Sequence, residues 1–248
     1  MDQLLVALDV ATGVEALALA DRLRDVAGGF KVGSRLFTTE GPDLVRTLSR
    51  SGGRVFLDLK FHDIPNTVAT AVAAATSLGV WMVNVHAAGG LKMMQAARAA
   101  ADETAAAERR PAPLVIAVTV LTSINGPMLA ETGVHAPVMD QVVRLAELAQ
   151  AAGLDGVVAS PQETALLRQR CGPGFIIVTP GIRSTGGGDD QQRTMGAREA
   201  IAAGADYIVV GRPIIAAANA RKAAEQIARE AGNSALGART STPQAPSV

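Results

Sequence analysis

The chain has 248 residues, 48% of them apolar and 19% charged, which supplies a sizeable core and excludes an intrinsically disordered chain. Basic and acidic residues balance at 23 each and aromatics reach only 3%, so there is neither a global basic footprint for nucleic acid nor material for base-stacking platforms. Cys171 is the only cysteine, MDQLLVALDV lacks the features of a signal peptide, and no apolar run reaches the roughly 20 residues of a bilayer span, so a cytoplasmic protein with no membrane partner is expected.

In chain order, β-rich runs are predicted at LLVALDV (4–10), FKVG (30–33), RVFLDLK (54–60), WMVNVHA (81–87), LVIAVTVLT (114–122), GVVAS (156–160), FIIVTPG (175–181) and YIVVGRP (207–213). Helical patterns lie between them, including 14–26, 67–79, 139–153 and 195–205. Glycines in AAGLDG (151–156) and AAGADY (202–207) stand where helix C-caps belong. Alternating strands and helices imply βαβ units and a parallel sheet. Eight such units within one chain of this length predict a single-domain α/β fold, a (β/α)8 TIM barrel over residues 1–230. A doubly wound sheet is the competitor, but LDVATG after the first strand lacks the Gly-rich turn that fold would usually carry. Residues 231–248 lose all periodicity and are rich in Ser, Thr, Pro and Gly, which predicts a disordered tail.

Polar residues interrupt these strands near their C-terminal ends, where barrels of this kind carry their chemistry. Asp9 ends the first run, Lys31 lies in the second, Asp58 and Lys60 in the third, Asn84 and His86 in the fourth, and Thr122 ends the fifth. Asp58 and Lys60 are two apart and share one strand face. The apolar residues of that strand are expected to face the surrounding helices. One reading of the charges is a structural ion pair plugging the barrel, with Asp63 beside the N-cap of a helix opening at Pro65. The other is chemical. Of 23 basic residues only Lys31, Lys60, Lys92 and Lys222 are lysine, and a plain salt bridge would tolerate Arg. A retained Lys suggests a compact ammonium able to give up a proton.

The last two strands run into PGIR (180–183) and GRP (211–213), which offer Arg183 and Arg212 for bidentate phosphate contacts and Gly211 for close backbone approach. The loop STGGGDDQQ (184–192) is Gly-rich and long enough to close over a ligand, or to be a plain connector. His62, His86 and His135 show no metal-ligand spacing, so no metal is expected, and no nucleotide-cofactor cradle is visible. His86 reads as a packing or hydrogen-bonding residue at the barrel mouth, Cys171 as an inert turn residue, and Met93–Met94 as helix packing.

DLKFHDIPNTV (58–68) resembles the signature of the orotidine 5′-monophosphate decarboxylase family. LDV (8–10), FKVG (30–33), VNVHAAGG (83–90), VLTS (120–123), TPGIR (179–183), DDQ (189–191) and DYIVVGRPI (206–214) extend the likeness in order to about residue 230. The resemblance implies cofactor-free decarboxylation of orotidine 5′-monophosphate to UMP and CO₂, the last step of UMP biosynthesis, by a homodimer with shared active sites. It implies that Lys60 stabilises the carbanion and donates the proton, within an alternating array of Lys31, Asp58, Lys60 and Asp63. Asp9 and Lys31 would bind the ribose and Thr122 the pyrimidine, Arg183, Gln191, Gly211 and Arg212 would hold the phosphate, and Pro180 would also contact the substrate. Asp63 and Thr67 would come from the other subunit. Gly196–Ala197 stand where the family carries Thr-Pro, which leaves the start of the next helix open, and Gln192 competes with Gln191. Two rival readings are a metal-dependent phosphosugar decarboxylase or aldolase of the same superfamily, and a non-catalytic nucleotide-phosphate-binding barrel.

Overall fold

The computed structural model describes residues 2–182 and 195–232. Its eight strands are β1 (Leu4–Ala7), β2 (Gly29–Gly33), β3 (Val55–Phe61), β4 (Met82–His86), β5 (Leu114–Val118), β6 (Gly156–Val158), β7 (Ile176–Thr179) and β8 (Tyr207–Val210). Each pairs in parallel with its sequence neighbours, and β8 returns to β1, closing a barrel in strand order. The helices between them are α1 (Gly13–Leu23), α2 (Ser34–Glu40), α3 (Pro42–Arg50), α4 (Pro65–Ser77), α5 (Leu91–Ala107), α6 (Gly126–Glu131), α7 (Val138–Ala151), α8 (Thr164–Cys171), α9 (Ala197–Ala202), α10 (Arg212–Ile215) and α11 (Ala220–Gly232). Among the described residues no helix is long and apolar enough to cross a membrane. Of the tail expected over 231–248, Ala231 and Gly232 instead complete α11, where Ala231 is buried against the core; residues 233–248 and the loop 184–192 lie outside the described residues.

The period of two along each strand sorts its side chains into two cores. Val55, Leu57, Val83, Val115 and Ile208 face outward and join the helices in one continuous layer. Leu5, Ala7, Phe56, Met82, Ile116, Val178 and Val209 face inward and fill the barrel. Phe56 therefore departs from the expectation that all apolar residues of its strand face the helices. It sits two residues below Asp58 on the inner face, so apolar packing floors the site. Phe56→Ala would empty that layer at a cost of about 3–5 kcal/mol.

The base of the barrel is closed by rings. Trp81 and Tyr207 meet edge to face with centroids 5.1 Å apart, and the Arg54 guanidinium lies 5.4 Å over the Trp81 ring. These are the chain's single Trp and single Tyr.

Several predicted runs overshoot the ladder at their C-terminal ends, where the chain leaves the sheet for its helix. Asp9 lies just past β1, Thr122 lies in a turn beyond β5, and Arg212 opens α10 where a strand was expected. Cys171 is the last residue of α8, and burial pushes its thiol upward, away from the thiolate. Met93 and Met94 pack inside α5 as expected. The helix left open by Gly196–Ala197 begins at Ala197, because the Glu199 carboxylate accepts the Gly196 N–H at 3.2 Å. Gly153 and Gly204 take positive φ values of 79° and 108° one residue beyond the C-caps Ala152 and Ala203 of α7 and α9, where the chain leaves the helix in a left-handed turn.

Candidate active site

β1, β2, β3 and β4 bring their polar residues together at the C-terminal rim. Gly33 of β2 pairs with Asp58 of β3, so Lys31 starts two residues lower and reaches up to it. Its Nζ donates to Asp9 Oδ1 at 3.2 Å and lies 3.5 Å from Asp58 Oδ2. Lys60 Nζ donates to Asp58 Oδ1 at 2.6 Å. A Cβ at position 33 would sit 3.0 Å from Lys31 Nζ and 3.5 Å from Asp9 Oδ1. Glycine there leaves room for the cluster, a role visible in sequence only as the G of FKVG.

Asp58 is largely buried, which alone would raise its carboxyl pKa. The charges of Lys31 and Lys60, with hydrogen bonds from Lys60 and Asn84, outweigh burial and hold it below the usual carboxylate range. The site is thus an ionised carboxylate flanked by two ammonium groups. Such an arrangement can stabilise negative charge developing beside an ammonium and can deliver a proton to it.

Lys60 has φ 55°, one of two non-glycine residues with positive φ among those described. That conformation costs about 1–2 kcal/mol, and the surrounding contacts must hold it. Asn84 of β4 is 0% exposed and bonded on both sides. Its Nδ2 donates to Asp58 Oδ1 at 2.7 Å, and its Oδ1 accepts the Lys60 backbone N–H at 2.8 Å.

Asp63 forms none of the ion pairs of this cluster in its own chain. It is exposed, and its carboxylate accepts the Ile64 N–H at 2.6 Å. The N-cap of α4 is Ile64, with Pro65 at the first helical position as expected, and Thr67 is exposed on the first turn. Ile64 is 66% exposed beside them. His62 and His86 face each other with ring centroids 5.4 Å apart. Burial lowers the His86 pKa, and His62 and Lys60 lower it further, so its imidazole is held neutral.

On the far side of the mouth, Pro180 follows β7 and Gly211 precedes α10, whose first residue Arg212 is exposed. A Cβ on Gly211 would lie 3.5 Å from Asp9 Oδ2, so this loop abuts the carboxylate cluster. Arg183 and Gln191 lie outside the described residues. A buried polar group that sequence reasoning passed over joins the exits of β6 and β7. Glu163, 1% exposed, accepts the Ser160 N–H at 2.8 Å, and the Thr164 and Thr179 hydroxyls meet at 3.4 Å. SPQET (160–164) at a strand exit was its only signal.

A closed parallel barrel carrying ammonium and carboxylate groups at the C-terminal ends of its strands defines a (β/α)8-barrel enzyme. Residues 2–227 match the Orotidine 5′-phosphate decarboxylase / HUMPS family, and the chain belongs to it. A relative from Moorella thermoacetica named orotidine 5′-phosphate decarboxylase is 55% identical over 231 residues, 92% of each chain. One of the same name from Sodalis glossinidius is 55% identical over 216 residues, covering 87% of this chain and 84% of its own. The crystal structure of orotidine 5′-phosphate decarboxylase from Lactobacillus acidophilus superposes with a TM-score of 0.82 at 36% identity, covering 92% of this chain and 98% of its own.

Proposed function

We propose that the protein is a carboxy-lyase that converts orotidine 5′-phosphate to UMP and CO₂ in pyrimidine biosynthesis. The carrying observation is the Lys31–Asp58–Lys60 cluster, with Lys60 Nζ 2.6 Å from Asp58 Oδ1. The ring–carboxylate bond breaks, CO₂ leaves, and the electron pair stays on the ring carbon. The Lys60 ammonium stabilises that pair and then gives it a proton, and solvent restores the proton to Lys60. Asp58 opposes the substrate carboxylate before it leaves. Lys31 and Asp9 hold the ribose hydroxyls, and Thr122 contacts the pyrimidine. Arg183, Gln191, Gly211 and Arg212 hold the phosphate, whose binding energy organises the site, and Pro180 lines the substrate pocket.

The active unit in this reading is a cytoplasmic homodimer in which Asp63 and Thr67 serve the partner's site. Their exposure beside Ile64, and a cluster whose ion pairs join Lys31, Lys60, Asp9 and Asp58 without Asp63, support that assignment. The barrel proper, residues 1–230, carries the catalysis.

No cofactor takes part. A metal-dependent reading needs Asp58 as a ligand, yet Lys60 and Asn84 occupy Oδ1 and Lys31 faces Oδ2. Among the described residues no group of three His, Cys, Asp or Glu side chains is arranged to hold a metal ion. The test is the ultraviolet absorbance of orotidine 5′-phosphate incubated with purified protein and excess EDTA. Turnover undiminished by chelator is expected. Turnover abolished by EDTA and restored by Mg²⁺ would favour the metal-dependent reading, and no turnover in either condition the non-catalytic one.

A further inference from the structure

The β3–β4 ladder breaks where the chemistry sits. Leu57 pairs with Val83 and Phe61 with Val85, so Asp58, Leu59 and Lys60 stand opposite Asn84 alone. A three-against-one bulge leaves backbone groups without ladder partners. Asn84 supplies the substitute from its side chain, accepting the Lys60 N–H and donating to Asp58. Being fully buried, it leaves no room for water to do the same. We propose that Asn84 is a positioning residue for the reaction: its amide holds the bulge, and so keeps Lys60 in the left-handed conformation that aims its ammonium at Asp58 and at the reacting carbon.

The chemistry of the position is narrow. It needs one acceptor and one donor on a short planar group. Leu or Val offers neither, Gln is a methylene too long, and an ionised Asp offers no donor. The titratable and charged groups around it are Lys31 from β2, Asp58 and Lys60 from β3, His86 from β4 and His62 in the β3–α4 connection, with Asp9 behind Lys31. β5 presents Ile116 opposite Asn84 and adds no charge.

The inference rests on the decarboxylase reading and deepens it. Its test compares wild type with Asn84→Ala and Asn84→Asp in the full chain. The measurements are kcat and KM for orotidine 5′-phosphate from pH 5.5 to 8.5, UMP affinity and thermal unfolding. Asn84→Ala is expected to lower kcat about 100-fold while KM and UMP affinity stay within about threefold, since the misplaced group acts only on the chemical step. Asn84→Asp puts two carboxylates in hydrogen-bond contact, and such a pair retains one proton well above the usual carboxylate range. With that proton, the introduced carboxyl donates to Asp58 and accepts from the Lys60 N–H as the native amide does. Its kcat relative to wild type should therefore rise about tenfold or more as pH falls through the range, whereas the ratio for Asn84→Ala stays flat. A kcat for Asn84→Ala within threefold of wild type, or a flat ratio for Asn84→Asp, would overturn the proposal. Should Asn84→Ala fail to fold, the Asn84→Asp ratio decides alone. Failure of the wild type to decarboxylate would remove the underlying reading, and is distinguishable because it needs no variant.

Discussion

At the N-terminal end of the barrel, Arg168 of α8 reaches Asp206 at 2.5 Å and also donates to the carbonyls of Gly172, Phe175 and Gly204. Asp206 in turn accepts the Ile177 N–H of β7 at 2.9 Å. Arg98 of α5 repeats the device two units earlier: it bonds Asp155 at 2.6 Å, and Asp155 accepts the Val115 N–H of β5. At the C-terminal end the pairing partners are lysines, one of them on strained backbone, and their carboxylate is Asp58. Both ends set a partly buried Asp against a cation, but the cation differs with the task. A guanidinium satisfies several fixed carbonyls at once and keeps its proton, which suits a seam between strand and helix. An ammonium is compact, binds fewer fixed groups and can transfer a proton, which suits a site where charge must change.

Exchanging the two kinds of cation is the sharpest way to break that contrast. Lys60→Ala should lower decarboxylation by roughly 10⁴-fold or more while UMP still binds, and Lys60→Arg should rescue little despite keeping the charge. Absorbance assays with a UMP titration check this, and an active Lys60→Arg would reduce the cluster to a structural ion pair. At the opposite end, Arg168→Ala should leave kcat within about twofold but cost about 2–4 kcal/mol, because Asp206 and several carbonyls lose their donor. That is roughly 5–10 °C in Tm, measured by thermal unfolding.

The smallest effect concerns pH. Folding holds His86 neutral, so the unfolded chain takes up a proton near the ordinary value of 6.5 that the folded site disfavours. Stability therefore falls as pH drops through about 6.5 and below. His86→Gln should remove that component and flatten the decline in Tm between pH 7 and 5 by a few degrees at most. A decline equal to that of the wild type would mean that His86 titrates alike in both states.

The sequence was informative wherever spacing along one strand carried the meaning. Asp58 and Lys60 share an inner face because they are two apart, and Lys31 falls beside them because adjacent parallel strands keep their polar ends on one rim. It misled at strand ends. Thr122 and Arg212 read as strand because their neighbours are apolar, yet the ladder stops at Val118 and Val210, where the chain turns toward helices that local patterns do not register. Asn84 read as one more polar strand residue. Its two bonds lie across 24 and 26 residues of chain.

Composition, alternation and the order of short motifs thus determined the barrel, its rim and the identity of the charged residues, since each depends on residues close in sequence or on the count of repeating units. The tertiary structure alone decided how those charges are arranged: the bulge that sets three residues against one, the positive φ at Lys60, and the glycine space at Gly33 that admits Lys31. The physical reason is that strain survives only where neighbouring strands over-determine it. The partner that does so for Lys60 is a side chain on β4, which no window along β3 contains.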